Sequence, residues 1–477
     1  TSKDVAALSS TELGALGTAA IDEFSAGQIA ALTSDQVTAV AGSLSSTQVA
    51  NLVAPQLTSS LLDTLNTAST LVSVSTKAIA ALTTVQAGAL TSTQIEGLST
   101  AQIRALTSKD VAALSSTELG ALVTADLDKF SAAQIAALTS GQVTAVAASL
   151  SSTQVASLVA TQLNSALLDS LDTASTLQSV STKAIAALTT VQAGALTSTQ
   201  IEALSTAQLR ALTVKDVAAL SSTELGALAT ADLDKFSAAQ IAALTSDQVT
   251  AVAGSLSSTQ VGNLVATQLT SALLDSLDTA STLQSVSTKA IAALTTVQAA
   301  ALTSTQIEGL STVQLHALTS KDVAALSTTE LGGLTTAAVD ELSSAQIAAL
   351  TSDEVGALAT AGILSSTQVG GLVGAQITAA LIDALSTAGE AGNISTKAIA
   401  ALTTTQVGSL GSAEINDLVT AQVQALTTKD VAAIASTAIG GLTTSTLAML
   451  TYAQVSSLTQ DQISNIASTS IQYLALA

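Results

Sequence analysis

His316 is the only histidine among 477 residues, and cysteine is absent. A Ser-His-Asp relay needs an imidazole to carry the proton. A zinc site needs several imidazole or thiolate ligands. Both chemistries therefore depend on His316. Sister copies of the surrounding sequence place Arg104, Arg210 and Gln424 in the same slot. A slot that accepts a guanidinium, an imidazole and an amide is a solvated one. The expectation is no catalytic residue, no metal ligand and no cofactor-binding residue, and a protein that is not an enzyme.

The other chemistry-bearing residues support no site either. Carboxylates are scattered singly. Neither the Asp-x-Asp-x-Asp-Gly calcium loop nor Gly-Gly-x-Gly-x-Asp repeats occur, so Ca2+ has no motif behind it. No Gly-rich phosphate loop is present. Phe24, Phe130 and Phe236 fill a slot that is Leu342 in a fourth copy, which marks them as core. Tyr452 and Tyr473 do not make a site. Asn393-Ile394-Ser395 matches the N-glycosylation triplet once, and the Ser/Thr density permits O-glycosylation without predicting it.

Two lysine rows recur. Lys109-Asp110 and its copies open each long repeat and read as a charged first helical turn, with lateral contact to a neighbouring molecule as the alternative. Lys77, Lys183, Lys289 and Lys397 recur in Ser-Thr-Lys-Ala-Ile. They read as a regularly spaced row pairing with acidic groups, each pair weak if exposed.

The net charge of −21, with Arg104 and Arg210 as the only arginines, argues against nucleic-acid partners, which need clustered cations. The acidic excess reads as solubility by self-repulsion, with divalent-cation binding as the alternative. Mean hydropathy is +0.56. Even so, Ser/Thr pairs interrupt the chain about every eight residues, so no apolar run of roughly 18 exists and no membrane insertion is expected. The lack of cysteine rules out disulfide staples and is compatible with a secreted bacterial protein. The chain starts in mid-pattern at Thr1 with no visible signal peptide, which suggests a segment of something longer.

What must position any functional residue is a doubly periodic chain. Thr-Ser-Lys-Asp at Thr1 recurs from Thr107, as Thr-Val-Lys-Asp from Thr213, then from Thr319 and, as Thr-Thr-Lys-Asp, from Thr427. This defines long repeats 1–106, 107–212, 213–318 and 319–426 and a partial fifth, 427–477, all read as one continuous solenoid. The first two differ at 16 of 106 positions, which points to tandem duplication. Inside them runs an octad, Leu-[Ser/Thr]-[Ser/Thr]-x-[Gln/Asp/Glu]-[Ile/Val/Leu]-x-[Ala/Gly]. From Ile394 through Leu402 to Leu474 its first position recurs every eighth residue, and a second apolar ladder runs from Ile399 to Ile471. The phase slips once per long repeat, as between Leu138 and Leu150, where 161–171 reads as a longer helix. The fourth copy is two residues longer between Leu350 and Leu364.

A single continuous helix fails, because eight residues advance the face about 80° beyond two turns. A continuous strand fails because positions one and six face opposite sides. One short helix per octad satisfies the pattern. Ser or Thr at position two with Gln or Glu at position five is a capping box, as in Thr91-Ser92-Thr93-Gln94 and Ser115-Ser116-Thr117-Glu118. Positions six and one are three apart and share a face. Ala or Gly at position eight lets backbones approach. An isolated octad gains roughly 3–6 kcal/mol from two buried side chains against about 1.5 kcal/mol per ordered residue, so it must stack. The expected fold is an all-α solenoid of short capped helices. A Thr-rich β-solenoid is the alternative, disfavoured because Ala, Leu and Gln favour helix.

The run from Leu90 to Leu106, Leu-Thr-Ser-Thr-Gln-Ile-Glu-Gly-Leu-Ser-Thr-Ala-Gln-Ile-Arg-Ala-Leu, resembles those of long repeat-rich bacterial surface and secreted proteins, often labelled adhesins or haemagglutinin-like. The resemblance covers nearly the whole chain and transfers no functional residue. It implies an extracellular, cell-surface location and a role as stalk, matrix or filament. The leading expectation is self-assembly into a fibre, filament or surface matrix by head-to-tail or lateral contacts, because polar end caps are lacking: the chain begins in register and ends on an uncharged stretch, Ile471 to Ala477. A monomeric adhesin stalk presenting a distal binding domain and an S-layer or sheath subunit are the alternatives. A surface polysaccharide, or ice, is a further partner class for the Thr/Ser array.

Overall fold

Outside the phase slips each octad folds into a helix of four to six residues, stopped where the next Ser/Thr pair begins. Ser92–Gly97, Thr100–Ala105, Ser108–Ala113, Ser116–Gly120 and Thr124–Leu127 follow one another in this way. The computed structural model describes residues 1–67, 69–173, 176–279 and 282–474, and among these no strand occurs. The fold is an all-α solenoid array, and the β-solenoid alternative is set aside. Residues 475–477, part of the uncharged terminal stretch noted in the sequence, lie outside the described residues.

The local cause of each helix is the expected one. Ser99 accepts from the Gln102 backbone N–H, while the Gln102 side chain accepts from Ser99, so first-turn donors are satisfied reciprocally. Ile103 and Leu106, positions six and one, are buried. The helix ends as Leu106 turns to extended backbone.

Packing divides the chain into two compact units, Thr1–Ala243 and Leu244–Ala477. Within the first, helix Ser108–Ala113 lies against Thr84–Gly88 and against Ala132–Ile135. Within the second, Thr428–Ala433 lies against Thr404–Gly408 and Tyr452–Val455. In the regular octads a helix thus packs on the third helix before it and the third after it, and at the phase slips it packs on the second, as Ser352–Thr360 does on Ala379–Thr387. No octad meets its sequence neighbours' apolar ladder alone; the core forms only when turns stack.

Among the glycines the closest approaches to another backbone fall at octad position seven, while at position eight, where the composition of the octad points, Gly97 and Gly441 meet the side chains of Asn66 and Ser412. A Cβ on Gly88 would lie 2.8 Å from the Ala113 carbonyl oxygen, and one on Gly194 2.7 Å from that of Ala219. Position seven turns toward the helix three octads on, so the small residue is needed there. The third copy carries Ala300 at this point, and its facing helix, Ser320–Val323, is two residues shorter than Ser108–Ala113 and Val214–Ala219.

The phase slips are built from short 3-10 turns and longer helices. The stretch expected as a helix over 161–171 is a 3-10 turn, Ala160–Gln162, followed by helix Ser165–Thr173. In the fourth copy the two extra residues extend Ser352–Thr360, where the second and third copies have a seven-residue helix and a 3-10 turn. Gly362, at φ 70°, then ends that helix, with Ile363 N–H donating to the Leu358 carbonyl and Gly362 N–H to Ala359.

Candidate interaction surface

The polar residue at position five does two jobs at once. In Gln134 the side-chain oxygen accepts from the Ser131 N–H at 2.9 Å. The amide nitrogen donates to the carbonyls of Ile103, at 2.7 Å, and Leu106, at 2.9 Å. Those carbonyls close the C-terminal end of helix Thr100–Ala105, four octads earlier, where helices leave acceptors without partners. The pattern recurs in both units: Gln102 bridges to Leu71 and Val74, and Gln454 to Val423 and Leu426. These glutamines are almost fully buried. Their amides are consumed in joining turns, so they offer nothing to a ligand.

A carboxylate at the same position cannot donate to a carbonyl, and it is used differently. Asp110 closes a capping box onto Thr107. Glu118 departs from expectation: Ser115 accepts from its backbone N–H, but its carboxylate accepts from the Ser92 N–H at 2.5 Å, 26 residues back. Ser92 is the first residue of helix Ser92–Gly97, an orphan donor at the positive end of that helix. Glu224 treats Ser198 identically. Lysine supplies the converse: Lys129 donates to the carbonyls of Glu96 and Leu98 and pairs with Asp126 at 3.0 Å.

The slot shared by Arg104, Arg210, His316 and Gln424 is exposed. Three of its occupants also donate to a backbone carbonyl 25 residues on: Arg104 to Lys129, Arg210 to Lys235 and Gln424 to Met449. Phe130 and Phe236 are buried, and so is Leu342; Tyr452 is exposed. The Asn393 side-chain amide donates to the Glu390 carboxylate. Among the described residues no group of three or more His, Cys, Asp or Glu side chains is arranged to hold a metal ion. Among them, too, no helix is long and apolar enough to cross a membrane.

One acidic cluster stands out. In three long repeats Asp63, Asp169 and Asp275 each accept from a glutamine amide, that of Gln94, Gln200 and Gln306, at 2.7, 2.6 and 2.5 Å. In the fourth the pair is Asp383 and Glu414, two acids. Desolvation of the Asp383 carboxyl, then the charges of Glu414 and Asp417, push its pKa above the ordinary carboxylate value.

The recurrent open feature is a groove, repeated in every complete long repeat. In the second it has a volume of about 260 Å³ and lies between Leu158-Val159-Ala160 and helix Thr182–Ala186, with Lys183 beside it. The others carry Lys77, Lys289 and Lys397, with volumes of about 280, 270 and 260 Å³. Val159 at its edge is 39% exposed, as is Val265. None of the four lysines has a hydrogen bond or ion pair among the described residues.

The architecture and these surfaces define a helical repeat protein. In sequence, the ALTTAQ repeat matches residues 5–41, 95–124, 217–253, 300–328 and 328–360, together roughly a third of the chain. The chain is similar to that repeat over those segments, which run through most of its length, and it is a repeat-rich protein. No curated protein matches it.

Proposed function

We propose that this chain is a non-catalytic structural protein that associates with copies of itself into a fibre, filament or matrix at the bacterial cell surface. The observation that carries the reading is how polar side chains are spent. Most position-five amides are spent in bonds between turns. What recurs at the surface is one groove per complete long repeat, lined each time by a Leu-Val pair, a serine, a lysine and two alanines. A surface that repeats along a chain suits repeated contacts with an equally periodic partner. The extracellular setting rests on the resemblance of the octads to those of surface and secreted proteins.

Sedimentation and negative-stain electron microscopy of the purified full chain across a concentration series test this. Concentration-dependent polymers are expected. A monodisperse monomer at high concentration removes the assembly reading. A monomeric stalk would then be the better account, favoured by the dense bonding between turns that a stiff spacer needs.

A further inference from the structure

Four helices of the fourth long repeat meet in a row. Thr328–Gly332 packs on Ser352–Thr360, which packs on Ala379–Thr387, which packs on Ser412–Asn416. In other copies a position-five glutamine bridges the first and the last of these junctions. Gln36 donates to the Ala6 and Leu8 carbonyls at 3.0 and 2.5 Å, and Gln142 to those of Ala112 and Leu114 at 3.1 and 2.5 Å. Gln94, Gln200 and Gln306 donate to Asp63, Asp169 and Asp275. In the fourth copy both glutamines are replaced by acids, Glu354 and Glu414.

Glu354 is 7% exposed. One of its oxygens accepts from the Thr351 N–H at 2.6 Å. The Ala324 and Leu326 carbonyls stand 30 and 28 residues earlier, the separations that Gln142 bridges. Neither carbonyl receives a hydrogen bond among the described residues. A carboxylate has no donor to offer them. At the last junction the Glu414 Oε2 is buried and has no hydrogen-bond partner among the described residues. Gly411 stands where other copies have Thr91, Thr197 and Thr303, and a Cβ on it would lie 2.8 Å from that oxygen. The glycine and the acid thus occur together.

The charged side chains on these elements are all acidic. Asp353 precedes Glu354, Glu330 lies on Thr328–Gly332, Asp383 on Ala379–Thr387, and Asp417 directly follows Ser412–Asn416. Glu390 precedes the 3-10 turn Ala391–Asn393, which packs on Ala379–Thr387. Gly374–Gln376 and Ser436–Gly440, also packed here, carry no charge. Lys321, on the helix that ends at Ala324, and Lys397, in the groove beyond Gly374–Gln376, are exposed and form no ion pair among the described residues.

We propose that these junctions form an acid-strengthened seam: a proton on Glu354 lets its carboxyl donate to an orphan carbonyl of the earlier turn, and a proton shared by Asp383 and Glu414 joins the next helices. In acid the seam closes as the glutamine seams do. At neutral pH the carboxylates leave both junctions without their bridge, and the fourth long repeat is the first to open. The raised pKa of Asp383, due first to desolvation and then to the charges of Glu414 and Asp417, has the sign this requires: the folded chain keeps the proton as pH rises from 3.8, and the stabilisation is lost through the raised value.

Hydrogen exchange of the full chain at pH 3 and pH 7, corrected for the intrinsic pH dependence of exchange, tests the seam. Glu354→Gln is expected to raise protection of Ser352–Thr360 about tenfold at pH 7, the scale of one buried hydrogen bond, and far less at pH 3. Gln142→Glu is expected to install the same pH dependence in Ser140–Val146 of the second copy. Glu12→Gln, at an exposed acid that caps its own helix, is the control and leaves Ser352–Thr360 as in the native chain. Millimolar Ca2+ at pH 7 is expected to leave native protection unchanged. An equal effect of Glu354→Gln at the two pH values, or a Gln142→Glu chain without pH dependence, overturns the proton's role. A gain with Ca2+ that Glu354→Gln abolishes also overturns it and assigns the place to a cation.

Discussion

The side-chain amide of Gln134 donates to the Ile103 carbonyl, 31 residues earlier, at 2.7 Å, while the same side chain caps its own helix at Ser131. One residue thereby closes the N-terminal end of one helix and the C-terminal end of another. This relationship recurs through both units and explains why the octad favours Gln over Glu at position five. Glu can make the cap, but only the amide has donors for the carbonyls of the earlier turn.

Gln134→Glu removes two buried donors and sets a carboxylate against two carbonyls. A loss of about 2–4 kcal/mol is expected from hydrogen-bond energetics, partly regained in acid where the carboxyl can donate once. The same change at Gln28, a capping residue whose amide nitrogen has no partner among the described residues, is expected to stay within about 0.5 kcal/mol. Amide hydrogen exchange of Thr100–Ala105 and Ala132–Ile135 reads the difference locally. Equal effects at the two sites would refute the bridging role.

Gly88→Ala adds a Cβ 2.8 Å from the Ala113 carbonyl oxygen. Overpacking costs about 1–3 kcal/mol and helix propensity returns roughly 1 kcal/mol, so a net loss near 1 kcal/mol is expected. The chain already contains the reverse case. Ala300→Gly should extend helix Ser320–Val323 toward the six-residue length of its counterparts. Protection of the Ala324 and Ala325 amides is the readout, and no gain there would separate the short helix from Ala300.

Ser69 adopts φ 56° at the end of helix Ser59–Thr67, with Thr70 N–H donating to the Leu65 carbonyl. The fourth copy has Gly389, at φ 77°, in the same place, with Glu390 N–H donating to Leu385. A side chain in this region costs about 1–2 kcal/mol, offset in part by the greater freedom of glycine when unfolded. Ser69→Gly is therefore expected to raise stability by about 0.5–1 kcal/mol, measured by urea unfolding. A loss of stability would mean that the Ser69 side chain earns its place by a contact.

Two acids should respond to pH with opposite sign. The Glu12 pKa is held below its ordinary value of 4.5, first by the Ser9 backbone N–H and then by the Ser9 hydroxyl. The unfolded chain binds its proton first, so the Glu12 cap stabilises above pH 4.5 and fades as pH falls through the lowered value. The Asp383 pKa is raised above 3.8. Here the folded chain holds the proton longer, so the contribution is present at acid pH and is lost as pH rises from 3.8 through the raised value. Glu414→Gln, which restores the residue found at Gln94, Gln200 and Gln306, should stabilise the fourth repeat at neutral pH and remove much of this dependence. Hydrogen exchange of Ser10–Gly14 and of Ala379–Thr387 between pH 3 and pH 7 checks the two signs in turn; an unchanged profile of Ala379–Thr387 in the variant would contradict the pairing.

Much of this was legible in the octad. Ser99 and Gln102 announce a cap, and Ile103 and Leu106 announce a buried face, because both patterns are completed within one turn of helix. The role of Glu118 was not legible. Its spacing from Ser115 is that of a capping box, yet its carboxylate serves Ser92 on another helix. The close approach at Gly88 was likewise assigned to the wrong octad position, since periodicity within a helix does not say which side meets the next turn. The grooves beside Lys77 and its counterparts had only one sequence signal, the regular recurrence of an exposed lysine.

By itself the sequence determined that short capped helices form, where the regular ones begin and which two side chains per octad are buried, since these depend on residues at most eight apart. Only the tertiary structure decided that a helix packs on its third neighbour while its glutamine reaches the fourth helix back. That choice sets the carbonyls each amide meets, the glycine that must stay small and the groove left open. It follows from how many octads complete one turn of the stack, a quantity fixed by packing between turns and not by any local period.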